Sequence, residues 1–258
     1  MGKVFLVGAG PGDPDLITLK GLKAIAQADF ILYDRLVNKE LLNHASQSAQ
    51  LIYCGKSPNH HSLEQEEINQ LICDLASKGS IITRLKGGDP FIFGRGGEEA
   101  ISLSDREIPF EIVPGITSGA SAPAYAGIPV TQRNVSSSVA FVSGIVKDSV
   151  DVEAYWKHLA RGPETLCIYM GAANLPDITA LLTKYGRDPD TPAALIHSGT
   201  TAAQKTVTGT LRNIVERSKE MQNPVIIVIG EVVRLRDQIK WYEDTALQDN
   251  SHETTLYQ

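Results

Sequence analysis

The chain has 258 residues, of which 42% are hydrophobic and 21% charged, values that exclude a disordered acidic chain and a disulfide-rich secreted scaffold. A formal net charge of -6 argues against nucleic acid as the main partner, because phosphate backbones are met by basic stripes; an anionic small molecule held by a local basic cluster stays open. No apolar run reaches the roughly 18 residues that span a bilayer, and the glycine-rich, acidic start lacks the apolar region of a signal peptide, so a cytoplasmic protein away from membranes is expected.

The first half alternates short apolar runs with helical patterns. "KVFLVG" (Lys3 to Gly8) reads as a strand, Thr18 to Gln27 as a helix, and "FILYD" (Phe30 to Asp34) as a second strand, a rhythm that predicts β-α-β units and a mainly parallel sheet. A helix is expected from Ser62, where S-x-x-Q with Gln65 makes a capping box; Ile68, Leu71, Ile72 and Leu75 then recur at helical spacing and Gly79 closes it. "SIITRL" (Ser80 to Leu85) and "FEIV" (Phe110 to Val113) are strands separated by a short helix.

Pro114 to Ser138 is rich in Pro, Gly, Ser and small residues, and a domain boundary is placed inside it. The division expected is an N-terminal α/β domain over 1–115, a hinge over 116–136, a C-terminal α/β domain over 137–243 and a polar, aperiodic tail over 244–258. The second domain reads as "VAFVSG", a helix at Val152 to Ala160, "TLCIYMG", a helix carrying Ile178, Leu181, Leu182 and Tyr185 that ends at Gly186, "AALIHSG", "QKTVTGT", a helix from Leu211 and the strand "PVIIVIGEVV". Threonines and valines around Gln204 predict an antiparallel element and hence a mixed sheet. Cys54, Cys73 and Cys167 are odd in number and scattered, which fits reduced, mostly buried thiols and no metal site.

Two glycine loops carry the functional signal. "GAGPGDPD" follows the first strand, with Asp29 and Asp34 where a ribose-binding acid would sit, but its third glycine falls one place early for a dinucleotide fingerprint and Pro11 and Pro14 block the usual helix start. A rigid, open loop at the carboxyl end of a strand remains a ligand-binding position. In "RLKGGDPFIFGRGGEEA", Gly87 and Gly88 would let backbone approach a ligand, and Asp89 before Pro90 would aim its carboxylate outward. Taken singly, Arg84 and Arg95 in the same stretch read first as ordinary ion-pair partners of Glu98 or Glu99; it is their concentration in one loop that points to a ligand.

Taken together, "GAGPGDPDLITLKG", "YDRLV", Gly55-Lys56, "RLKGGDPFIFGRGGEE", "VPGITSGASAPAYAGIP", "IYMG" and "PVIIVIGEVV" resemble the tetrapyrrole methylase family, in order from about Lys3 to Tyr242. The resemblance implies two α/β domains with a ligand cleft between them, usually in a homodimer, and S-adenosyl-L-methionine (SAM) as methyl donor with S-adenosyl-L-homocysteine as product. It implies methylation of uroporphyrinogen III at C2 and C7, giving precorrin-2 via precorrin-1. The family's SAM contacts fall on Pro11, Gly87, Gly88, Asp89, Ile92, Thr117, Ser118, Met170 and the region of Gly199, and its acid–base pair on Asp34 and Lys56. Two positions depart from the family's habit: Gln132 and Ile145 stand where a histidine is common.

The residues suit such chemistry. After a ring carbon takes a methyl group, the ring carries positive charge until a proton is lost, so the protein must orient, exclude water and accept or relay that proton. Asp34 is the candidate acceptor; its plain alternatives are a helix cap near Asn38 or a salt bridge to Arg35, and for Lys56 a surface charge. The substrate's ring of carboxylates calls for Arg35, Lys86, Arg95 and Arg133, with Lys56, His60 and His61 in neighbouring loops. A helix beginning near Thr117 and Ser118 would offer free N–H groups to the cofactor's carboxylate. The rival readings are a methylase of a later corrin intermediate, a nucleotide-dependent oxidoreductase and a SAM-binding protein without catalysis.

Overall fold

The computed structural model describes residues 2–55, 64–146 and 151–243. The chain divides into two units, Met1–Thr117 and Ser118–Gln258.

In the first unit, five short apolar runs become strands: β1 (Lys3–Gly8), β2 (Phe30–Tyr33), β3 (Gln50–Tyr53), β4 (Ile81–Lys86) and β5 (Phe110–Val113). All pair in parallel, in the order β3-β2-β4-β1-β5. The helices are α1 (Leu19–Ala26), α2 (Gln65–Ser77) and α3 (Gly96–Ser104). Side chains alternate across β1: Val4 and Leu6 pack with Ile72 and Ala76 of α2 and Leu103 of α3, whereas Phe5 and Val7 pack with Ala24 and Ile25 of α1. Both faces are therefore covered, which is why β1 reads as an unbroken apolar run rather than an alternation. Parallel pairing also gathers the loops that follow β1, β2, β4 and β5 along one edge of the sheet.

Thr18 caps α1, its Oγ1 accepting from the Gly21 amide at 3.0 Å, and Gly79 at φ 95° ends the α2 segment as its composition predicts. The α2 start differs from expectation. Gln65 is the first helical residue, Glu64 precedes it as the cap, and the Glu64 amide donates to Glu67 Oε2 at 2.7 Å; Ser62 lies outside the described residues. β3 has no counterpart in the sequence reading. It is an edge strand whose Leu51 and Tyr53 are 48% and 38% exposed, so it carries no buried apolar signature.

The second unit opens with α4 (Ser118–Tyr125), followed by β6 (Val139–Ser143), α5 (Val152–Arg161), β7 (Thr165–Tyr169), α6 (Leu175–Lys184), β8 (Pro192–His197) and β9 (Lys205–Thr210). Then come α7 (Ile214–Arg217), β10 (Val225–Ile229), a 3-10 turn (Glu231–Leu235) and α8 (Arg236–Ile239). The sheet is mixed, in the order β6-β7-β10-β8-β9, with only the β6–β7 pair parallel. Trp156 and Leu159 of α5, Ile178 and Leu182 of α6 and Ile214 of α7 cover Leu166, Ile168, Leu195, Ile227 and Ile229. Two expected elements are shorter. The last strand stops at Ile229 because Gly230, at φ 151°, turns the chain into the 3-10 segment, and the helix expected from Leu211 is the single turn α7. The tail from residue 244 lies outside the described residues.

Candidate active site

In the first unit the glycine loops meet one another before they meet anything else. Gly10 and Gly88 exchange backbone hydrogen bonds of 3.2 and 2.7 Å, and the Ala9 amide donates to Lys86 O at 2.8 Å. A methyl group on Gly8 would stand 2.5 Å from Gly115 Cα, and one on Gly115 would stand 2.3 Å from Gly88 O. Three loops thus close on bare backbone, so Gly88 serves backbone packing at least as much as ligand approach. Asp89 completes the joint: its Oδ1 accepts from the Phe91 amide at 2.8 Å and its Oδ2 from the Gly115 amide at 3.0 Å. The outward carboxylate expected there is instead turned onto backbone, because two amides in tight turns lack other acceptors. Gly87 faces Leu36 of the loop after β2, and Pro11 and Ile92 are half-buried.

Beyond the joint, the β4–α3 loop is strained. Phe93 and Arg95 hold left-handed backbone at φ 54° and 57°, and Phe91 and Phe93 are exposed. Arg95 lies at the start of α3 and forks onto Glu98, with bonds of 2.9 and 2.6 Å, while half of its side chain faces solvent. Arg35 and Arg133 are exposed.

Beneath that loop the sheet turns polar. Leu32 and Ile82 lie in the core on the α2–α3 face, and two residues further along each strand the same face carries Asp34, Arg84 and then Lys86. Arg84 Nη2 donates to Asp34 Oδ1 at 2.6 Å and Arg84 Nε to Glu99 Oε1 of α3 at 3.0 Å. Lys86 Nζ reaches Glu99 Oε1 at 2.8 Å and Asp34 Oδ2 at 4.0 Å, and Gln65 Nε2 adds a third bond to Glu99 Oε1 at 3.1 Å. Side-chain exposure is 2% for Arg84, 3% for Lys86 and 0% for Glu99, but 31% for Asp34. Asp34 opens onto a cavity of about 430 Å³ lined also by Tyr33, Arg35, Lys39 and Tyr53.

The electrostatics follow from burial. Burial alone would lower the Arg84 pKa, but Glu99 and Asp34 reverse that and hold it above its ordinary value. Burial, and then the adjacent Arg84 charge, pull the Lys86 ammonium below the usual lysine range in spite of both carboxylates. Lys86 is therefore an internal ion-pair member, which corrects its expected place among the cations facing a substrate. Asp34 is not the cap, since Asn38 Oδ1 takes the Glu40 amide at 2.9 Å, and its short bond is to Arg84 rather than to Arg35. Asp29 likewise serves structure, accepting from the Ile81 amide at 2.8 Å. Lys56, His60 and His61 lie outside the described residues.

In the second unit Met170 follows β7 at φ 56° and is 49% exposed, and Gly199 follows β8 between Ser198 at φ 44° and Thr200 at φ 71°. A methyl group on Gly199 would stand 2.4 Å from Ala122 Cβ, so this glycine lets the loop touch α4. Thr117 and Ser118, both half-buried, end the first unit and begin the second. The α4 amides are less available than its small residues suggest, because the Gly119 N–H already donates to Tyr169 Oη at 2.6 Å. Among the described residues, seven other than glycine hold positive φ, and five of them (Phe93, Arg95, Met170, Ser198 and Thr200) lie in the loops singled out for ligand binding.

The family of tetrapyrrole (corrin/porphyrin) methylases matches residues 3–215. The chain belongs to this family. The methylase is 64% identical to a uroporphyrinogen-III C-methyltransferase of Priestia megaterium over 235 residues, covering 90% of this chain and 99% of the relative. It is 57% identical to the enzyme of the same name from Bacillus subtilis (strain 168) over 245 residues, covering 94% of this chain and 95% of that one. Among solved structures, uroporphyrin-III C-methyl transferase from Thermus thermophilus complexed with S-adenyl homocysteine superposes with a TM-score of 0.77 at 37% identity, over 91% of this chain and 100% of that one. The expected ion pairs of Arg84 with Glu99 and of Arg95 with Glu98 are present, whereas sequence reading of the methylase missed Lys86 and Gln65 as further partners of Glu99. The signal for them was present: charges at Arg84 and Lys86 share one face of a strand that is otherwise apolar, and a buried charge requires a partner.

Proposed function

We propose that this methylase transfers methyl groups from SAM to C2 and C7 of uroporphyrinogen III, giving precorrin-2 by way of precorrin-1. The observation that carries the reading is the 64% identity to a uroporphyrinogen-III C-methyltransferase over 99% of that relative's length. Pro11, Gly87, Gly88, Asp89, Ile92, Thr117, Ser118, Met170 and Gly199 suit SAM chemically. None of them is cationic, so none repels a sulfonium, and the half-exposed thioether of Met170 offers apolar surface to an adenine ring.

SAM, when bound, supplies an electrophilic methyl group and leaves as S-adenosyl-L-homocysteine. What the protein adds is position and proton traffic. Asp34 accepts the proton that the ring loses after each methylation, being the partly exposed carboxylate at the cavity wall. Lys56, by its family position, donates a proton or holds a substrate carboxylate. Arg35, Arg95 and Arg133 meet the acetate and propionate groups, guanidinium forks being suited to paired oxygens. A homodimer in the cytoplasm completes the reading; the buried free thiols of Cys54, Cys73 and Cys167 suit a reducing compartment.

The deciding experiment is anaerobic incubation with SAM and enzymatically generated uroporphyrinogen III, followed by mass spectrometry of the tetrapyrrole. Two added methyl groups are expected. Absence of any mass gain overturns the assignment, and arrest at one methyl group overturns the claim for both positions.

A further inference from the structure

Three charged side chains on one sheet face, with Glu99 of α3 set against them, need an account that stability does not supply. Taking the Arg84, Lys86 and Glu99 charges out of water is costly, and well-packed apolar residues would serve a core at least as well. The arrangement is not even complete as a salt bridge: Glu99 Oε1 takes three donors, from Arg84, Lys86 and Gln65, while Glu99 Oε2 is buried without a hydrogen-bond partner among the described residues. A buried bare oxygen is a cost that structural clusters normally avoid. The cluster's other end is the partly exposed one, Asp34 at the cavity wall.

We propose that Glu99, Lys86 and Arg84 are positioning residues that fix the orientation and balance the charge of the Asp34 carboxylate. This rests on the reading of Asp34 as proton acceptor. Arg84 holds one Asp34 oxygen at 2.6 Å and the Lys86 ammonium stands 4.0 Å from the other, so the carboxylate is set by two cations from β4. Glu99 of α3 in turn engages both cations through one oxygen and offsets the field that they put on Asp34. Among the described residues, the remaining groups facing this point are Cys54 beyond β3 and, lining the cavity, Tyr33, Arg35, Lys39 and Tyr53. Burial pushes the Cys54 thiol up to about 11, so it brings no charge at neutral pH, and Arg35 and Lys39 are exposed and screened by solvent.

The sign of each charge makes the proposal testable. Glu99→Gln leaves an excess cation under Asp34 and favours its charged form, so the acidic limb of the single-turnover profile moves to lower pH, by about half a unit to one unit. Its plateau falls about two- to threefold, because a more acidic carboxylate is a weaker base. Lys86→Gln removes a cation and moves the limb to higher pH by a similar amount. The double variant, neutral again, returns the limb to the wild-type position. SAM affinity, measured by calorimetry on the same preparations, stays at the wild-type value and shows that each variant is folded.

Limbs that stay in place, or move the same way in both single variants while SAM binding is intact, overturn the proposal. If one single variant does not fold, the other carries the test alone, since each has its own direction. Asp34→Asn is run beside them. Wild-type turnover in Asp34→Asn removes Asp34 from the chemistry, whereas slow Asp34→Asn with unmoved profiles in the other variants removes only the positioning role.

Discussion

Asp34 and Lys86 illustrate how burial, rather than residue type, assigns a side chain its task. Both stand at strand ends in polar loops of the sequence, yet one is 31% exposed at a cavity and the other 3% exposed beneath it. The same logic governs the thiols. Burial raises Cys54 to about 11 and Cys167 to about 12, so at pH 8 the thiolate is about one part in a thousand or less for each. Iodoacetamide at pH 8 should leave both unmodified in the folded protein and label both after denaturation; the rate of labelling read by mass spectrometry checks this. Raising the pH toward 11 should begin to expose Cys54 to the reagent before Cys167, because only the ionised sulfur attacks.

At the scale of elements, most of the fold is legible because both faces of the first sheet are covered and the strands announce themselves as apolar runs. The exceptions have physical causes. β3 sits at an edge with Leu51 and Tyr53 in solvent, and β10 stops where Gly230 takes a backbone that other residues rarely adopt. The site was less legible. Glycines at 8, 88 and 115 were conspicuous, but whether bare backbone meets a ligand or another loop depends on which strands are neighbours, and adjacency of β4, β1 and β5 is not written in local spacing. Pairing across that same sheet gives a pH test. Glu111 of β5 accepts from Lys20 of α1 and from Lys3 of β1, the latter at 2.7 Å, and these bonds, Lys20's first, hold its carboxyl down to about 2. Its folded pKa lies below the unfolded value of about 4.3, so the contribution is present above that pH and is lost as pH falls toward 2. Glu111→Gln should therefore lower the thermal midpoint slightly at pH 7 and leave it unchanged at pH 2, as read by calorimetry; the effect is small because the lysines are exposed.

For the whole molecule, the two units have different sheets: one all parallel, one mixed. Only the first could be assigned its strand direction from rhythm, since β-α-β alternation permits little else, whereas the second needed its threonine-rich Lys205–Thr210 strand to betray an antiparallel edge. A chain of this family that takes SAM should respond as a whole to the product. S-adenosyl-L-homocysteine at about one hundred times its dissociation constant stabilises the folded state by about 2.7 kcal/mol, which raises the melting midpoint by roughly 5 to 10 °C. NAD at the same concentration should give no shift. Differential scanning fluorimetry with both compounds is sufficient, and a response to NAD alone would redirect attention to nucleotide chemistry.

The meeting of Gly8, Gly88 and Gly115 bears on how such a protein can change over time. Gly8 and Gly115 leave no room for a side chain because each meets the other and the Gly88 carbonyl, Gly88 itself holds left-handed backbone at φ 68°, and Asp89 ties the second loop to the third. A substitution at any one of the three is therefore judged by the other two, and variation is channelled into the positions between them. A saturation library across these loops should return survivors dense at Phe91, Phe93 and Ile116, whose side chains are half-exposed, and sparse at the three glycines and Asp89. New specificity in this scaffold is then expected to arise from what the loops display, with their mutual anchorage inherited intact.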